Sequence, residues 1–243
     1  IRRSDIHRLG PSISWRPRPK LPWVRQTEFF ASWDYTMSSS NQVLRRTDKY
    51  GINVYFHDGG QFRVIPFDYE RDHVARDFEV SPGVLIPAGG YHWNVLVLRY
   101  AFSPKRRFYG VLDYSNRYGY YKGQMHKFQL TPGFKLSQQF SVEADYQLYL
   151  ASLPAHPGYE SAFTQHVMNL GVNYSFTNQW LTRATIQYDN IGNFFGLYFR
   201  LNYIFRPGDD FFLVYNEGRQ VGGAHDGQKD RTLKAKLTYS FDF

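Results

Sequence analysis

The chain has 243 residues, no cysteine and a net charge of +8, and aromatic residues make up 19% of it. The lack of cysteine excludes disulfide bonds and thiolate metal sites, and no run approaches the ~20 apolar residues of a membrane-spanning helix. Lysine and arginine are spread along the whole length, which argues against a nucleic-acid-binding module. The abundance of aromatic residues favours strands, either of a soluble protein or of a membrane barrel.

Alternation of apolar and polar residues with period two recurs along the chain and predicts strands rather than helices. The sequence lacks a linker or a low-complexity tract, so residues 1–243 are interpreted as one domain. Pro66 and Pro132 each interrupt a predicted strand and indicate a bulge or a strand end, because proline cannot donate to the hydrogen-bond ladder. The thirteen predicted strands are 5–16, 26–37, 43–57, 60–70, 91–103, 106–117, 123–135, 138–150, 163–176, 179–190, 195–206, 209–218 and 231–243.

The last predicted strand, in "LKAKLTYSFDF", illustrates the pattern. One parity carries Lys234 and Lys236, and the other is apolar throughout. The clearer segments run ten to fourteen residues, whereas soluble strands average ~5–6 and a tilted transmembrane strand needs ~9–11. An apolar face towards lipid and a polar face towards a wet interior would explain this alternation. The apolar parity of the last segment consists of Leu233, Ala235, Leu237, Tyr239, Phe241 and Phe243.

The connections between the predicted strands alternate in length. Counted back from the C-terminus, 219–230, 151–162 and 71–90 are long. The intervening segments 206–210, 176–179, 135–139, 103–107 and 57–60 are tight, 117–123 is intermediate, and 190–193 is a short exception. Outer-membrane barrels have short periplasmic turns and longer extracellular loops.

The predicted fold is therefore all-β, an antiparallel transmembrane β-barrel with about 12–14 strands in this chain. The expected location is the bacterial outer membrane, with the long loops extracellular and the C-terminus periplasmic. Single-chain bacterial barrels have even strand numbers, so thirteen predicted strands imply one missing or miscounted strand, or part of a larger barrel. A soluble β-sandwich is the alternative fold.

Three segments together resemble a known family: "FEVSPGVLIPAGGYHW" (78–93), "KRRFYGVLDYSNRYGYYKGQ" (105–124) and "TRATIQYDNIGNFFGLYFRLNYIFRPGDDFFLVYNEGRQ" (182–220). It is the bacterial outer-membrane family in which a family-9-like carbohydrate-binding module precedes a C-terminal barrel of unknown function. The resemblance covers most of the chain and implies that the chain is the barrel portion of a longer protein. It supplies no catalytic residue. Separately, the terminal Tyr239, Phe241 and Phe243 resemble the signal that the barrel-assembly machinery recognises.

The polar parity of the predicted strands carries charges of both signs. One interpretation is a mildly cationic channel or binding surface, because charge in a pore biases which solutes enter. The other is that opposite charges pair across strands and fill a closed interior. The candidate lumen-lining residues are Arg99, Arg107, Lys127, Glu143, Asp145, Arg183, Asp189, Arg200, Lys234 and Lys236.

Evidence for catalysis in the sequence is weak. Glu143 and Asp145 could act as an acid–base pair or bind a cation, but carboxylates two apart on a strand are more often wall residues balanced by Arg or Lys. The eight histidines show no HExxH spacing, and no serine lies in a GxSxG motif. Neither a catalytic residue, a metal ligand nor a cofactor is assigned, and the chain is not expected to be an enzyme.

The function that the sequence favours is an integral outer-membrane barrel, channel-like or substrate-handling, and the resemblance adds a link to glycans. The alternative is a plugged barrel that acts as an anchor or as a subunit of a larger outer-membrane complex, and an outer-membrane hydrolase is a minor alternative. The expected partners are the lipid bilayer, lipopolysaccharide, the barrel-assembly machinery through the C-terminal strand, and other outer-membrane proteins or glycans. Nucleic acid is not an expected partner.

Overall fold

A computed structural model describes residues 6–40, 43–221, 227 and 229–240, and their regular structure consists of strands alone. The prediction of an all-β protein with a large antiparallel sheet is confirmed. Among these residues there is no helix with the length and apolarity needed to cross a membrane. The strands are β1 (Ile6–Leu9), β2 (Ser12–Trp15), β3 (Val24–Ser38), β4 (Val43–Phe56), β5 (Gln61–Val74), β6 (Phe78–Ser81), β7 (Val84–Ile86), β8 (Gly89–Ala101), β9 (Phe108–Tyr120), β10 (Gly123–Lys135), β11 (Phe140–Ser152), β12 (Ala162–Ser175), β13 (Trp180–Asp189), β14 (Phe194–Arg206), β15 (Asp209–Gln220) and β16 (Lys229–Thr238).

Fourteen strands form one antiparallel sheet, in which β3, β4, β5 and β8 to β16 follow one another in chain order. Both β1 and β2 pair with β3, and β6 and β7 form a separate two-stranded sheet. The order of strands in this sheet has two ends, and no closed barrel is found among the described residues. The chain divides into two compact units. Unit 1 comprises 1–103, 111–129 and 148–164, and unit 2 comprises 104–110, 130–147 and 165–243.

Twelve of the thirteen predicted strands each overlap one long strand of the structure. The prediction of a single strand over 5–16 is wrong, because Gly10 and Pro11 separate β1 from β2. The prediction of 71–90 as a plain loop is also wrong, since the hairpin of β6 and β7 lies within it. This hairpin turns at Pro82 and Gly83, where Gly83 has a φ of 77°.

The two prolines that were expected to interrupt strands, Pro66 and Pro132, lie within β5 and β10. At Pro66 the pairing of β5 with β8 shifts between Ile65 and Tyr69, as a bulge does. The predicted bulge at this position is therefore confirmed. Pro132 stays within β10, where a Cβ added to Gly110 of β9 would lie 2.4 Å from the Thr131 carbonyl oxygen. A glycine is thus required where these two strands approach each other closely.

The register defines two faces in each unit, because residues directly opposite on paired strands share a face. In unit 1, one row across β3, β4, β5, β8 and β9 consists of Glu28, Asn53, Arg63, Arg99 and Asp113. We call the face that bears this row the charged face of unit 1. In unit 2, a row across β12 to β16 consists of Asn173, Arg183, Arg200, Val214 and Lys234 and defines the charged face of unit 2.

The opposite face of each unit, which we call the apolar face, exposes large hydrophobic side chains. In unit 1, Leu98, Leu112 and Phe128 are all exposed. In unit 2, Phe211, Leu213 and Tyr215 lie opposite Leu237, Ala235 and Leu233, and these residues form one continuous apolar row along β15 and β16. A soluble monomer rarely leaves contiguous apolar surface of this extent uncovered.

Candidate functional site

The charged face of unit 1 is organised around Glu28, which is buried. Its carboxylate accepts hydrogen bonds from Arg16 Nε at 2.7 Å, Asn53 Nδ2 at 2.8 Å and Tyr55 Oη at 2.9 Å. Asn53 Oδ1 in turn accepts a hydrogen bond from Arg63 Nε at 2.7 Å. A buried carboxylate with three donors is fully satisfied, so this part of the face is a fixed polar network rather than a vacant site.

Three ion pairs join charged residues of this face across strands in the described part of unit 1. The Lys49 ammonium lies 3.1 Å from an Asp68 carboxylate oxygen, and Arg99 lies 3.7 Å from Asp113. Arg8 pairs with Asp34, which also borders a cavity of about 710 Å³. In unit 1, therefore, opposite charges pair across strands, as the second interpretation of the charged residues expects. Further residues at the cavity include Ser32, Thr36, Arg45, Thr47, Lys49 and Glu70.

The hairpin of β6 and β7 covers one end of the charged face of unit 1. Val84 and Ile86 are each 2% exposed and belong to one cluster with Tyr91, Trp93 and Val95 of β8. These three residues lie an even number of positions from Arg99 along β8, so they are on the same face of the sheet as the ion pairs. Pro82 and Gly83, which lie between two valines, are typical of a hairpin turn and could have indicated this element. Its strands are too short to be predicted from the alternation of apolar and polar residues.

The connection 153–161 makes both polar and apolar contacts with this hairpin. The Glu160 amide donates to the Gly83 carbonyl oxygen at 2.7 Å, and Leu153 belongs to the same hydrophobic cluster. Trp93 Nε1 donates to Glu70 at 2.8 Å and satisfies the only polar atom of its buried side chain. The connections 75–88 and 153–161 are thus held together over this face of unit 1 by both apolar and polar contacts.

The turn after β9 also joins this cluster and is conformationally unusual. Tyr121 and Lys122 have φ values of 45° and 70°, in the left-handed region that side chains rarely adopt. Tyr121 is buried among Tyr91, Trp93 and Tyr120, and its hydroxyl donates to Asp72 at 3.1 Å. Burial is the main cause that raises the pKa of Tyr121, and the Asp72 carboxylate adds to the effect. The tertiary contacts of this ring stabilise the strained turn.

In unit 2, an aromatic ring spans two strands of the charged face. Tyr109 donates a hydrogen bond to Glu143 at 2.5 Å, and the Lys135 ammonium lies 4.8 Å from the centre of the Tyr109 ring. The ring lies over Gly133, where an added Cβ would come within 2.4 Å of it. Glu143 therefore has a specific structural partner, which favours a wall role over an acid–base role with Asp145.

The basic residues of unit 2 differ from those of unit 1. Arg183 and Arg200 lie directly opposite each other, and Lys234 follows in the same row beyond Val214. All three are exposed. Within the part of the chain that the structure describes, none of them pairs with a carboxylate; the ion pairs of unit 2 are Arg206–Asp209 and Arg231–Glu217. Charge pairing across strands therefore does not account for this row.

The predicted site residues fall into several places. Arg99 pairs with Asp113, and the Lys127 ammonium lies 5.3 Å from the centre of the Tyr149 ring, both in unit 1. Arg107 lies in the turn before β9 rather than in a strand, so its assignment to a strand is wrong. In unit 2 the register and the alternation bring the remaining candidates to one face: Glu143, Asp145, Arg183, Asp189, Arg200, Lys234 and Lys236.

The predicted assembly signal is only partly described. Tyr239 follows the end of β16, and the Arg206 guanidinium lies 5.0 Å from the centre of its ring. Phe241 and Phe243 lie outside the described residues. Across the described ranges, no three His, Asp or Glu side chains form a group that could hold a metal ion.

Comparison with known proteins gives no relative: no protein-family model, no curated protein and no solved structure matches this chain.

Proposed function

We propose that this chain is the β-barrel domain of a bacterial outer-membrane protein and that its charged face lines a passage for small hydrophilic solutes. The observation that carries the proposal is the two-faced character of its strands. Ten-residue to fifteen-residue strands bear exposed Leu, Phe and Tyr on one face and Arg, Lys, Glu and Asp on the other. Lipid would cover the first face, and water would solvate the second.

The strand lengths and the connections support the same proposal. Strands of ~9–11 residues suffice to cross a bilayer when tilted, and the strands β3 to β5 and β8 to β16 all reach this length. The connections 57–60, 136–139, 176–179 and 207–208 are short, whereas 75–88 and 153–161 on the intervening hairpins are longer. The alternation is incomplete: 190–193 is short as predicted, 102–107 has six residues, and the predicted intermediate connection 117–123 is wrong, because only residues 121–122 separate β9 from β10. Short turns would face the periplasm and longer loops the exterior, with the C-terminal strand ending on the periplasmic side.

The resemblance to the family with a carbohydrate-binding module extends the proposal. The chain would then form the membrane-embedded portion of a longer protein, whose surface-exposed module would bind glycans. The expected interactions with lipopolysaccharide and the barrel-assembly machinery follow from this outer-membrane location. The resemblance suggests a solute related to glycans, but the side chains of the charged face do not select one solute class by themselves.

A plugged barrel that anchors a module or joins a larger complex is the second candidate. The hairpin of β6 and β7 favours it, because Val84 and Ile86 pack apolar surface onto the charged face of unit 1. The hydrogen bond from Glu160 to Gly83 adds the connection 153–161 to the same covering. A covering held by buried valine and isoleucine would narrow or close a passage.

Single-channel recording in a planar bilayer with the full-length protein distinguishes the two candidates. Stepwise currents with a measurable preference between potassium and chloride would support the passage. Stable insertion without current would favour the plugged barrel, and binding partners would then be sought by cross-linking in intact outer membranes. A purified chain that is monomeric and soluble without detergent would contradict both candidates.

A further inference from the structure

The cavity of about 710 Å³ in unit 1 lies within the size range of small-molecule sites. Most of its lining comes from the charged face of β3, β4 and β5, where the register places Thr36 opposite Arg45 and Thr47 opposite Glu70. Both carboxylates and cations therefore reach the same cavity. The full lining is Arg8, Gly10, Ser32, Trp33, Asp34, Thr36, Arg45, Thr47, Lys49 and Glu70.

Two of the three cations in this lining already have carboxylate partners. Arg8 Nε donates to the two carboxylate oxygens of Asp34 at 3.0 Å and 3.1 Å. The Lys49 ammonium lies 3.1 Å from Asp68, whose side chain is 3% exposed. These pairs leave one cation and one carboxylate of the lining without a partner of opposite charge.

The remaining cation is Arg45, which is exposed. Within the part of the chain that the structure describes, its guanidinium forms no ion pair. Asp72 stands opposite Arg45 in the register, but the Asp72 carboxylate accepts hydrogen bonds from the Tyr121 hydroxyl and the His73 amide instead. Arg45 is thus available to a bound anionic group.

The remaining carboxylate is Glu70, which is half-buried. Its Oε2 atom accepts a hydrogen bond from Trp93 Nε1 at 2.8 Å, which fixes the orientation of the side chain. Among the described residues, its Oε1 atom has no hydrogen-bond partner. Glu70 therefore presents one free carboxylate oxygen to a cationic group.

Arg45 and Glu70 are close enough for one small molecule to contact both. Glu70 lies opposite Thr47, and Arg45 precedes Thr47 by two residues in β4, so the two charged residues are diagonal neighbours. Diagonal neighbours in a sheet lie about 7–8 Å apart. Both side chains line the same cavity, and in the described structure they do not form an ion pair with each other.

We infer that this cavity binds a small zwitterion, a molecule of the size of an amino acid or a dipeptide that carries one carboxylate and one ammonium group. Arg45 binds the carboxylate through paired hydrogen bonds, and Glu70 accepts a hydrogen bond from the ammonium group. The hydroxyl groups of Ser32, Thr36 and Thr47 bind polar atoms between the two charges. As a statement about which solute the passage carries, this inference deepens the proposed function and rests on it.

Isothermal titration calorimetry on the detergent-purified full chain tests the site with three probes that differ only at their ends: L-alanyl-L-alanine, its N-acetyl derivative and its C-terminal amide. The dipeptide carries both charges, and each derivative lacks one. A hydrogen bond to a charged group contributes about ten-fold in affinity, so we expect the dipeptide to bind more tightly than either derivative by about this factor. Equal affinities for the dipeptide and one derivative, or absence of dipeptide binding, would overturn the inference.

Two single variants test the two charged residues separately. Arg45→Gln should weaken dipeptide binding about ten-fold and leave the affinity for the amide derivative unchanged. Glu70→Gln should weaken dipeptide binding by a similar factor and leave the affinity for the N-acetyl derivative unchanged. The glutamine oxygen can still accept the hydrogen bond from Trp93. A variant that weakens the binding of all three probes alike would contradict the role assigned to its residue.

Arg71→Gln is the matched control for the loss of one positive charge. Arg71 is exposed and follows Glu70 in β5, but it lies opposite Arg46 on the apolar face and does not line the cavity. Its substitution should leave the affinities for all three probes unchanged. Heat-modifiable migration in gels shows that each variant is folded. Equal losses in Arg45→Gln and Arg71→Gln would mean diffuse attraction by net charge and would overturn the site.

Single-channel recordings separate this inference from the proposed passage. Binding of the dipeptide without current in the wild-type protein would contradict the passage and leave the zwitterion site supported. Current without binding of the dipeptide would contradict the zwitterion site and leave the passage supported.

Discussion

Tyr109 reaches over Gly133 to donate a hydrogen bond to Glu143, so one side chain of β9 crosses the whole width of β10 to reach β11. This contact depends on the absence of a side chain at position 133. An alanine there would place a methyl group 2.4 Å from the ring carbons, and the ring would have to move. The Tyr109–Glu143 hydrogen bond thus links β9 to β11 in addition to the backbone pairing, and it depends on glycine at position 133.

The first prediction concerns this contact. Gly133→Ala should lower the free energy of unfolding by about 1–3 kcal/mol, the usual cost of overpacking, because the displaced ring also loses its bond to Glu143. Urea titration of the protein refolded into lipid vesicles measures the change. Gly90→Ala is the control, because no atom lies within 4 Å of the position of its Cβ. A Gly133→Ala protein as stable as Gly90→Ala would contradict the argument.

The second prediction distinguishes the two faces of β13. Ala184 lies opposite Val172 and Phe199 on the apolar face, and its neighbour Thr185 lies opposite Gly171 and Tyr198 on the charged face. If lipid covers the apolar face, Ala184→Arg should cost about 2–4 kcal/mol near the bilayer midplane. Thr185→Arg should cost much less, because that side chain would remain in water.

Folding yields in vesicles of the two arginine variants, followed by urea titration, check this difference. Both residues are half-buried and neighbours in sequence, so local strand propensity affects them alike. Equal costs for the two variants would show that the apolar face does not meet lipid, and the barrel proposal would then lose its main support.

The third prediction concerns the covering hairpin. Ile86→Ala removes a side chain that is 2% exposed, and such truncations cost about 2–5 kcal/mol. The hairpin should then detach more often, and trypsin should cleave after the exposed Arg76 at least ten times faster. Mass spectrometry of the fragments over time measures the rate.

Leu85→Ala is the matched control for the hairpin, because Leu85 is adjacent in β7 but only half-buried. It should change the cleavage rate much less. If the passage is open beneath the hairpin, Ile86→Ala should also widen the distribution of single-channel conductances. Equal cleavage rates in the two variants would contradict the role assigned to the buried side chain.

The fourth prediction addresses the left-handed turn. At Lys122, with a φ of 70°, glycine should be more stable than alanine by about 1 kcal/mol, because a Cβ is penalised in this region. Both substitutions remove the lysine side chain. The difference in stability between the two variants therefore reports the cost of placing a Cβ in this backbone conformation. At Lys105, which is not among the residues with positive φ, alanine should be at least as stable as glycine. Thermal unfolding of the four variants checks the order.

Long strands could be predicted from sequence because many alternating positions support each of them. The segment 195–206, for example, agrees with β14 to within one residue, because Phe195, Leu197, Phe199 and Leu201 keep strict period two. The hairpin of β6 and β7 has strands of only four and three residues. Strands this short contain too few positions to separate a buried hairpin from a loop.

The candidate site was harder to predict than the strands. The alternation of residues along each strand predicts that Arg99 and Arg200 both lie on a polar face. It does not predict which residue of the neighbouring strand lies opposite each of them. Only the register shows Asp113 opposite Arg99 and Arg183 opposite Arg200. The difference between a satisfied charge and an unpaired one thus depends on contacts across the sheet, which a single strand does not encode.

The buried turn at Tyr121 also bears on the order in which the strands assemble. Two consecutive left-handed side chains are costly in an isolated hairpin, and the contacts that hold them come from Tyr91, Trp93 and Asp72, up to 49 residues earlier. The turn between β9 and β10 is therefore stabilised by residues of β5 and β8, although the turn itself is local in sequence. We expect the hairpin of β9 and β10 to become stable only after β5 and β8 have paired.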